Sequence, residues 1–142
     1  MISITPVKKS DYLKLLKIEK SIFNNQVSMY KSENNLNEDS IKTWKVSTIK
    51  IVGFVSFYHV KDEIEIIKIG IIRSHQRNNY GSLIINKIKK LNVKKIFIEV
   101  SIENSKAIKF YLKNGFKKIG IRKGYYNGNK HKIDALRLSF EF

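Results

Sequence analysis

A mixed α/β fold of the α+β kind, with one central sheet and helices on both faces, is what the sequence predicts. Three observations predict it. Three strand-like runs follow one another between residues 41 and 72, broken only by short turns. After Gly81 the apolar period changes from about two to about 3.6, and two amphipathic stretches enclose one short apolar run. The chain then ends in two strand-like runs around Asn127-Gly128-Asn129, a strong turn signal.

Each element has its own local reason. Ile2 to Thr5 reads as a short first strand. Ser10 is a candidate helix N-cap, with Asp11 in the first turn and Tyr12, Leu16, Glu19 and Phe23 at helical spacing. Asn24 to Asp39 is polar, with room for a short second helix inside a loop. Ile41 to Ile49 and Ile51 to Val60 are strands, the second rich in β-branched and aromatic residues. Asp62-Glu63 marks a turn, and Ile64 to Ile72 completes an antiparallel meander. Leu83 to Lys90 is the first amphipathic helix of the second half, with Leu83, Ile84, Ile88 and Leu91 on one side. Lys95 to Val100 is a short buried strand and Ser105 to Asn114 a helix. Gly115 suits the left-handed position after that helix, with Phe116 packing back. Lys118 to Arg122 and Ile133 to Phe140 are the last two strands.

A chain of 142 residues has the size of one domain, here expected to span 1–142. It contains no cysteine, which excludes disulfides, thiolate zinc sites and a cysteine nucleophile. His59, His75 and His131 lie far apart without metal-ligand spacing, so no metal is expected, and Trp44 reads as core. Lysines interrupt every apolar run near the start, and no stretch is long enough to cross a bilayer. A soluble, cytoplasmic protein without a membrane partner is expected. Lys and Arg total 28 against 12 acidic residues, a formal charge of +16. The excess is spread along the chain beside abundant Asn and Ile. An AT-rich genome accounts for it, and so does proximity to an anionic partner such as ribosomal RNA.

The segment from Ile69-Gly70-Ile71 through Gln76-Arg77-Asn78-Asn79-Tyr80-Gly81-Ser82 carries the first chemical signal. A strand that runs through a short loop into a helix N-terminus offers unpaired N–H groups and a favourable dipole to an anion. Arg77 adds a cation, and Gly81 permits close backbone approach. By itself the pattern is shared by many structural loops. A second segment adds to it: Glu99 stands between Ile98 and Val100 in a strand otherwise built for burial, where a carboxylate needs a partner or a function. Asn104, Ala107, Tyr111 and Asn114-Gly115-Phe116 follow.

On these residues the chain resembles the GNAT superfamily of N-acetyltransferases. Gln76-Arg77-x-x-x-Gly81 is similar to its pyrophosphate loop, and Glu99…Asn104…Tyr111…Gly115-Phe116 to its next motif. With Arg122-Lys123-Gly124-Tyr125-Tyr126, the spacing is most similar to the branch that acetylates protein N-termini. The likeness runs from about Ile64 to Leu138 and is thin before that. It implies acetyl-CoA as co-substrate and a protein N-terminus, alanine of a ribosomal protein, as acceptor. It implies backbone contacts from Ile69, Gly70 and Ile71 to the pantetheine arm. Arg77, Asn78, Asn79, Tyr80, Gly81 and Ser82 would wrap the pyrophosphate, and Asn104 would hydrogen-bond the cofactor near its amide arm. Glu99 is implied as general base, Tyr111 as general acid, and Tyr125 and Tyr126 as a lip for the peptide end. Two departures stand out: Asn79 replaces a glycine, though asparagine tolerates the left-handed conformation, and Asn24-Asn25-Gln26-Val27 replaces an aromatic-proline segment.

Proton chemistry favours the α-amine. Its pKa of about 7.7–8.0 leaves roughly a tenth neutral at pH 7, whereas a lysine at about 10.4 needs some 3 kcal/mol more. Acetylation of a lysine side chain or small amine is the second reading, and a non-catalytic, RNA-associated module of the same fold is the third. Retention of both Glu99 and Tyr111 argues against the third.

Overall fold

The computed structural model describes residues 1–23, 41–128 and 130–142. The short helix expected between Asn24 and Asp39 lies outside the described residues. In chain order the elements are β1 (Ser3–Pro6), α1 (Tyr12–Phe23), β2 (Ile41–Ser47), β3 (Ile51–Val60), β4 (Glu63–Ile71), α2 (Tyr80–Lys89), β5 (Lys95–Ser101), α3 (Ser105–Lys113), β6 (Lys117–Asn127) and β7 (Lys132–Glu141). They build one seven-stranded sheet in the order β1-β2-β3-β4-β5-β7-β6. Only β4 and β5 run parallel, joined through α2 as a parallel crossover requires; every other pair is antiparallel.

Helices cover both faces, as the sequence predicts. On one face Ile84, Ile85 and Ile88 of α2 and Tyr111 of α3 pack with Val55, Phe57, Ile64, Ile66, Ile96, Ile98, Val100 and Leu138. Trp44 belongs to this cluster, edge-on to Phe57 at 4.9 Å. On the other face Leu15 of α1 closes over Val7 and Phe54, flanked by Tyr12, Leu16, Ile22 and Phe23.

Three local expectations need correction. Ser10 lies inside a 3-10 turn, Lys9–Asp11, ahead of α1 and is not its N-cap. The order there comes from Asp11, whose Oδ2 accepts from the Lys8 amide and from Lys45 Nζ, each at 2.8 Å. Helix α2 starts at Tyr80, so Gly81 lies within its first turn. Strand β6 is twice as long as expected and takes in Tyr125 and Tyr126, because two register shifts absorb its irregular stretches.

Candidate active site

The site begins with a disagreement between two neighbouring strands. β4 pairs with β5 only from Glu63↔Lys95 to Ile66↔Ile98. Ile67 is then an extra residue: Ser56 and Phe57 of β3 face Lys68 and Ile66, with nothing opposite Ile67. Such a bulge bends its strand and raises the local twist. Beyond it β4 stays with β3 as far as Ile71, while β5 stays with β7 as far as Ser101↔Ala135. The two strands therefore part, and the backbone of residues 67–71 faces that of residues 99–101 across a gap without a ladder between them.

Ile69, Gly70 and Ile71 line one side of this gap. Ile69 and Ile71 turn their side chains into the larger core, and Gly70 lies under α1, where an added Cβ would stand 2.9 Å from Ile22 Cδ1. The Ile71 carbonyl already accepts from Gln76 Nε2 at 2.9 Å, which ties the strand end to the following loop. Lys106 Nζ donates to Gln76 Oε1 at 3.0 Å, fixing the same side chain from α3.

The loop delivers the helix terminus. Arg77 and Asn79 both take left-handed backbone conformations, φ 65° and 62°. Asparagine tolerates this region well, so Asn79 takes over the turn that a glycine serves in the resembling pattern. Arg77 adopts it as an exposed, long side chain, which is uncommon and stored at some energetic expense. Asn78 steadies the turn, donating from Nδ2 to the His75 carbonyl at 3.2 Å. The first intrahelical donor of α2 is Leu83, to the Asn79 carbonyl at 3.0 Å, and the Asn79 side chain caps nothing. The amides of Tyr80, Gly81 and Ser82 thus precede the helical ladder, with no acidic side chain in that turn. Gly81 has a packing reason as well: a Cβ there would stand 2.9 Å from Phe110 Cζ, so glycine lets α2 and α3 close together.

Tyr111 and Glu99 lie on opposite faces of the sheet. Tyr111 is 2 % exposed within the α2–α3 core. Its ring stands edge-on to Phe110 at 5.0 Å and to Phe116 at 5.3 Å. The helix end that places Phe116 is the expected one: Gly115 has φ 91°, the Phe116 amide donates to the Tyr111 carbonyl at 3.0 Å, and Lys89 Nζ donates to the Asn114 carbonyl at 2.6 Å. At the other end, Asn104 caps α3, its Oδ1 accepting from the Ala107 amide at 3.2 Å. Asn104 thus spends one lone pair of Oδ1 on the helix, and its Nδ2 donors remain for a ligand. Burial pushes the Tyr111 hydroxyl well above the usual tyrosine range, with a smaller contribution from Tyr126.

Ile98 and Val100 fill the α2–α3 face, so alternation sends Glu99 to the other. There Glu99 Oε1 accepts from Arg137 Nη1 at 2.9 Å and forms an ion pair with Arg122 Nη2 at 3.0 Å, while the buried Oε2 has no hydrogen-bond partner among the described residues. Arg137 Nη1 also reaches Glu65 Oε1 at 3.1 Å, and its guanidinium lies 4.7 Å from the Phe97 ring. Tyr126 donates to the Glu99 carbonyl at 3.3 Å. Burial raises its hydroxyl, and Tyr125 and Glu99 add to the effect. Tyr125 is half exposed and edge-on to Tyr126 at 4.9 Å.

Asp134 sets that lip: residues 123–125 of β6 stand opposite it alone, and its Oδ1 accepts from the amide of Gly124, φ 63°. No motif spacing points to Arg137, Glu65 or Asp134. Arg137 has one sequence signal, a lone cation between Leu136 and Leu138. Under α1, Glu19 is buried and accepts from Lys68 Nζ at 3.1 Å, which sits 4.5 Å over the Phe23 ring. Among the described residues no group of three His, Asp or Glu is placed to hold a metal.

Comparison with known proteins bears on the family and the fold. The model of the Acetyltransferase (GNAT) family matches residues 13–116. The [ribosomal protein bS18]-alanine N-acetyltransferase of Haemophilus influenzae is 28 % identical over 127 residues, covering 87 % of this chain and 86 % of that protein. Among solved structures, the ribosomal-protein-S18-alanine N-acetyltransferase of Escherichia coli aligns with TM-score 0.85 at 22 % identity, covering 99 % of this chain and 94 % of that one. Arabidopsis thaliana NAA60 in complex with a bisubstrate analogue aligns with 0.84 at 18 %, covering 99 % and 98 %. The spermidine N-acetyltransferase of Vibrio cholerae aligns with 0.81 at 20 %, covering 99 % and 93 %. At these identities the structures speak for the fold alone. Fold, family match and curated relative converge: the chain belongs to the Acetyltransferase (GNAT) family and is an acetyl-CoA-dependent N-acetyltransferase.

Proposed function

We propose that the chain acetylates the N-terminal α-amine of a protein, with alanine of a ribosomal protein as the favoured acceptor. The observation that carries this reading is the gap between β4 and β5, with Tyr111 on one face of it and Glu99 on the other. The 28 % identical bS18-alanine enzyme supports the choice of acceptor.

The chain's groups fit the co-substrate. The amides of Tyr80, Gly81 and Ser82 with Arg77, Asn78 and Asn79 suit a pyrophosphate, the parted edge at Ile69, Gly70 and Ile71 suits a pantetheine arm, and Asn104 Nδ2 remains available beside it. Acetyl-CoA supplies an activated thioester carbonyl. Glu99 takes a proton from the acceptor ammonium through Oε2, directly or across one water, and so makes the nitrogen nucleophilic. As the new C–N bond forms and the C–S bond breaks, Tyr111 gives its hydroxyl proton to the departing sulfur. The ammonium sheds two protons in becoming an amide: the first leaves through Glu99 to solvent, and the second, lost as the C–N bond forms, restores Tyr111. Tyr125 and Tyr126 flank the entrance to Glu99 and hold the peptide end.

The test is acetyl-CoA turnover against short peptides differing in their first residue, beside spermidine and an N-terminally blocked lysine peptide. The reading expects the alanine peptide to have the highest kcat/KM. A faster reaction with spermidine or the blocked peptide overturns the acceptor and leaves the acetyltransferase in place.

A further inference from the structure

The two guanidinium groups on Glu99 are not equivalent. Arg137 is braced on three sides, by Glu65, Glu99 and the Phe97 ring, and is 30 % exposed. Arg122 is 57 % exposed and, among the described residues, held by Glu99 Oε1 and, at 4.9 Å, by the half-exposed Tyr125 ring. Arg122 thus sits on a carboxylate whose second oxygen is buried and, among the described residues, without a hydrogen-bond partner. Leaving such an oxygen unsatisfied is unfavourable. An ammonium can replace a guanidinium on a carboxylate while keeping the charge paired.

From this asymmetry we infer that Arg122 is an internal competitor of the acceptor: it occupies Glu99 in the free enzyme and is exchanged for the acceptor's ammonium. Arg137 stays in place and keeps the carboxylate aimed at the gap. Arg122, pivoting on β6, swings towards solvent over the Tyr125 ring. The inference rests on the acceptor amine docking at Glu99 but not on which amine it is. It makes Arg122 a determinant of acceptor affinity that acts through Glu99 and touches no reacting atom.

Exposed ion pairs are weak, so the exchange has a small measurable effect. Binding is measured by calorimetry, with CoA in place of acetyl-CoA so that no turnover occurs. Arg122→Gln should lower the Kd of the alanine peptide about two- to fivefold. Arg122→Lys, which keeps a cation in place, should return it towards the wild-type value. In a Glu99→Gln background the Arg122→Gln effect should vanish, because the anchor is gone. An unchanged or raised Kd in Arg122→Gln, or an equal effect in both backgrounds, overturns the inference. A second readout uses the unaltered protein: modification of Arg122 by an arginine-selective dicarbonyl, mapped by mass spectrometry, should speed up at saturating acceptor. Slower or equal modification counts against displacement. If the alanine peptide fails to bind, the same series with spermidine or the blocked lysine peptide separates the two ideas. Tightening of that amine by Arg122→Gln retains the exchange and discards the N-terminal acceptor.

Discussion

Gly81 of α2 and Phe110 of α3 meet so closely that a single added carbon on Gly81 would stand 2.9 Å from Phe110 Cζ. The first turn of α2, with the amides proposed to hold the pyrophosphate, is thereby locked to the helix that carries Tyr111. Gly81→Val should force Phe110 aside and destabilise the fold by about 1–3 kcal/mol. Phe110→Ala destabilises on its own, but the double variant should be more stable than the sum of the two losses. Thermal melts of the four proteins check this; strict additivity would separate the two residues.

Acetyl-CoA should stabilise the protein through the amides of Tyr80, Gly81 and Ser82. At 100 times its Kd a ligand specific for the native state adds about 2.7 kcal/mol. The melting temperature should rise with acetyl-CoA and rise less in Arg77→Ala. Lys90→Ala, on an exposed residue past the end of α2, should behave as wild type.

Tyr111→Phe retains the ring contacts with Phe110 and Phe116 and removes only the hydroxyl. Turnover should fall by roughly 10²–10⁴ while the melting temperature barely moves. Because burial raises this hydroxyl, it keeps its proton at pH values where an ordinary tyrosine loses it. The wild-type kcat should therefore show no decline near pH 10 attributable to a lost acid. An unaltered rate in Tyr111→Phe would return the residue to a packing role.

Glu99→Gln preserves shape and removes the proton acceptor. With an α-amine of pKa about 7.7–8.0, its rate defect should be large at pH 7 and shrink towards pH 9, where the substrate has lost its proton unaided. A pH series of kcat/KM for the alanine peptide reads this directly. A glutamate that only binds the charged amine gives instead a raised KM and a defect that persists at high pH.

Asp11 ties the turn before α1 to β2. Burial alone would raise its carboxyl, but Lys45, the Lys8 amide and the charge of Lys14 outweigh it and hold it below the usual range. A depressed carboxyl contributes stability that is fully present above the unfolded value of about 3.9 and is lost as pH falls through the folded one. Asp11→Asn should therefore be less stable than wild type at neutral pH, and the difference should close in acid denaturation series below pH 4. A difference constant with pH would assign it to packing.

Much of the fold was legible because its signals are local. Gly115 and Phe116 end α3 as their neighbours dictate, Asn79 takes the left-handed turn, and β3 follows from its β-branched and aromatic residues. Ser10 misled because Asp11, the next residue, competes for the same capping role and gains Lys45, which is 34 positions away. The partners of Glu99 escaped for the same reason. Arg137 is 38 residues away and meets Glu99 only through the register of β5 on β7, which no local pattern encodes. Tyr125 and Tyr126 were visible as aromatics, but Asp134, which folds the strand beneath them, was not.

The extra residue in β4 has a consequence for how this sheet trades regularity against use. Before Ile67 the even-numbered residues, Ile64 and Ile66, face the larger core; after it the odd-numbered Ile69 and Ile71 do. Removing Ile67 would therefore leave every remaining side chain of the strand on its present face. The shortened strand would have no reason to turn from β5, and the ladder that stops at Ile66↔Ile98 would run on. Such a protein should melt at a higher temperature and bind no acetyl-CoA. Ile67 thus exchanges a continuous ladder for the opening at which the proposed chemistry takes place.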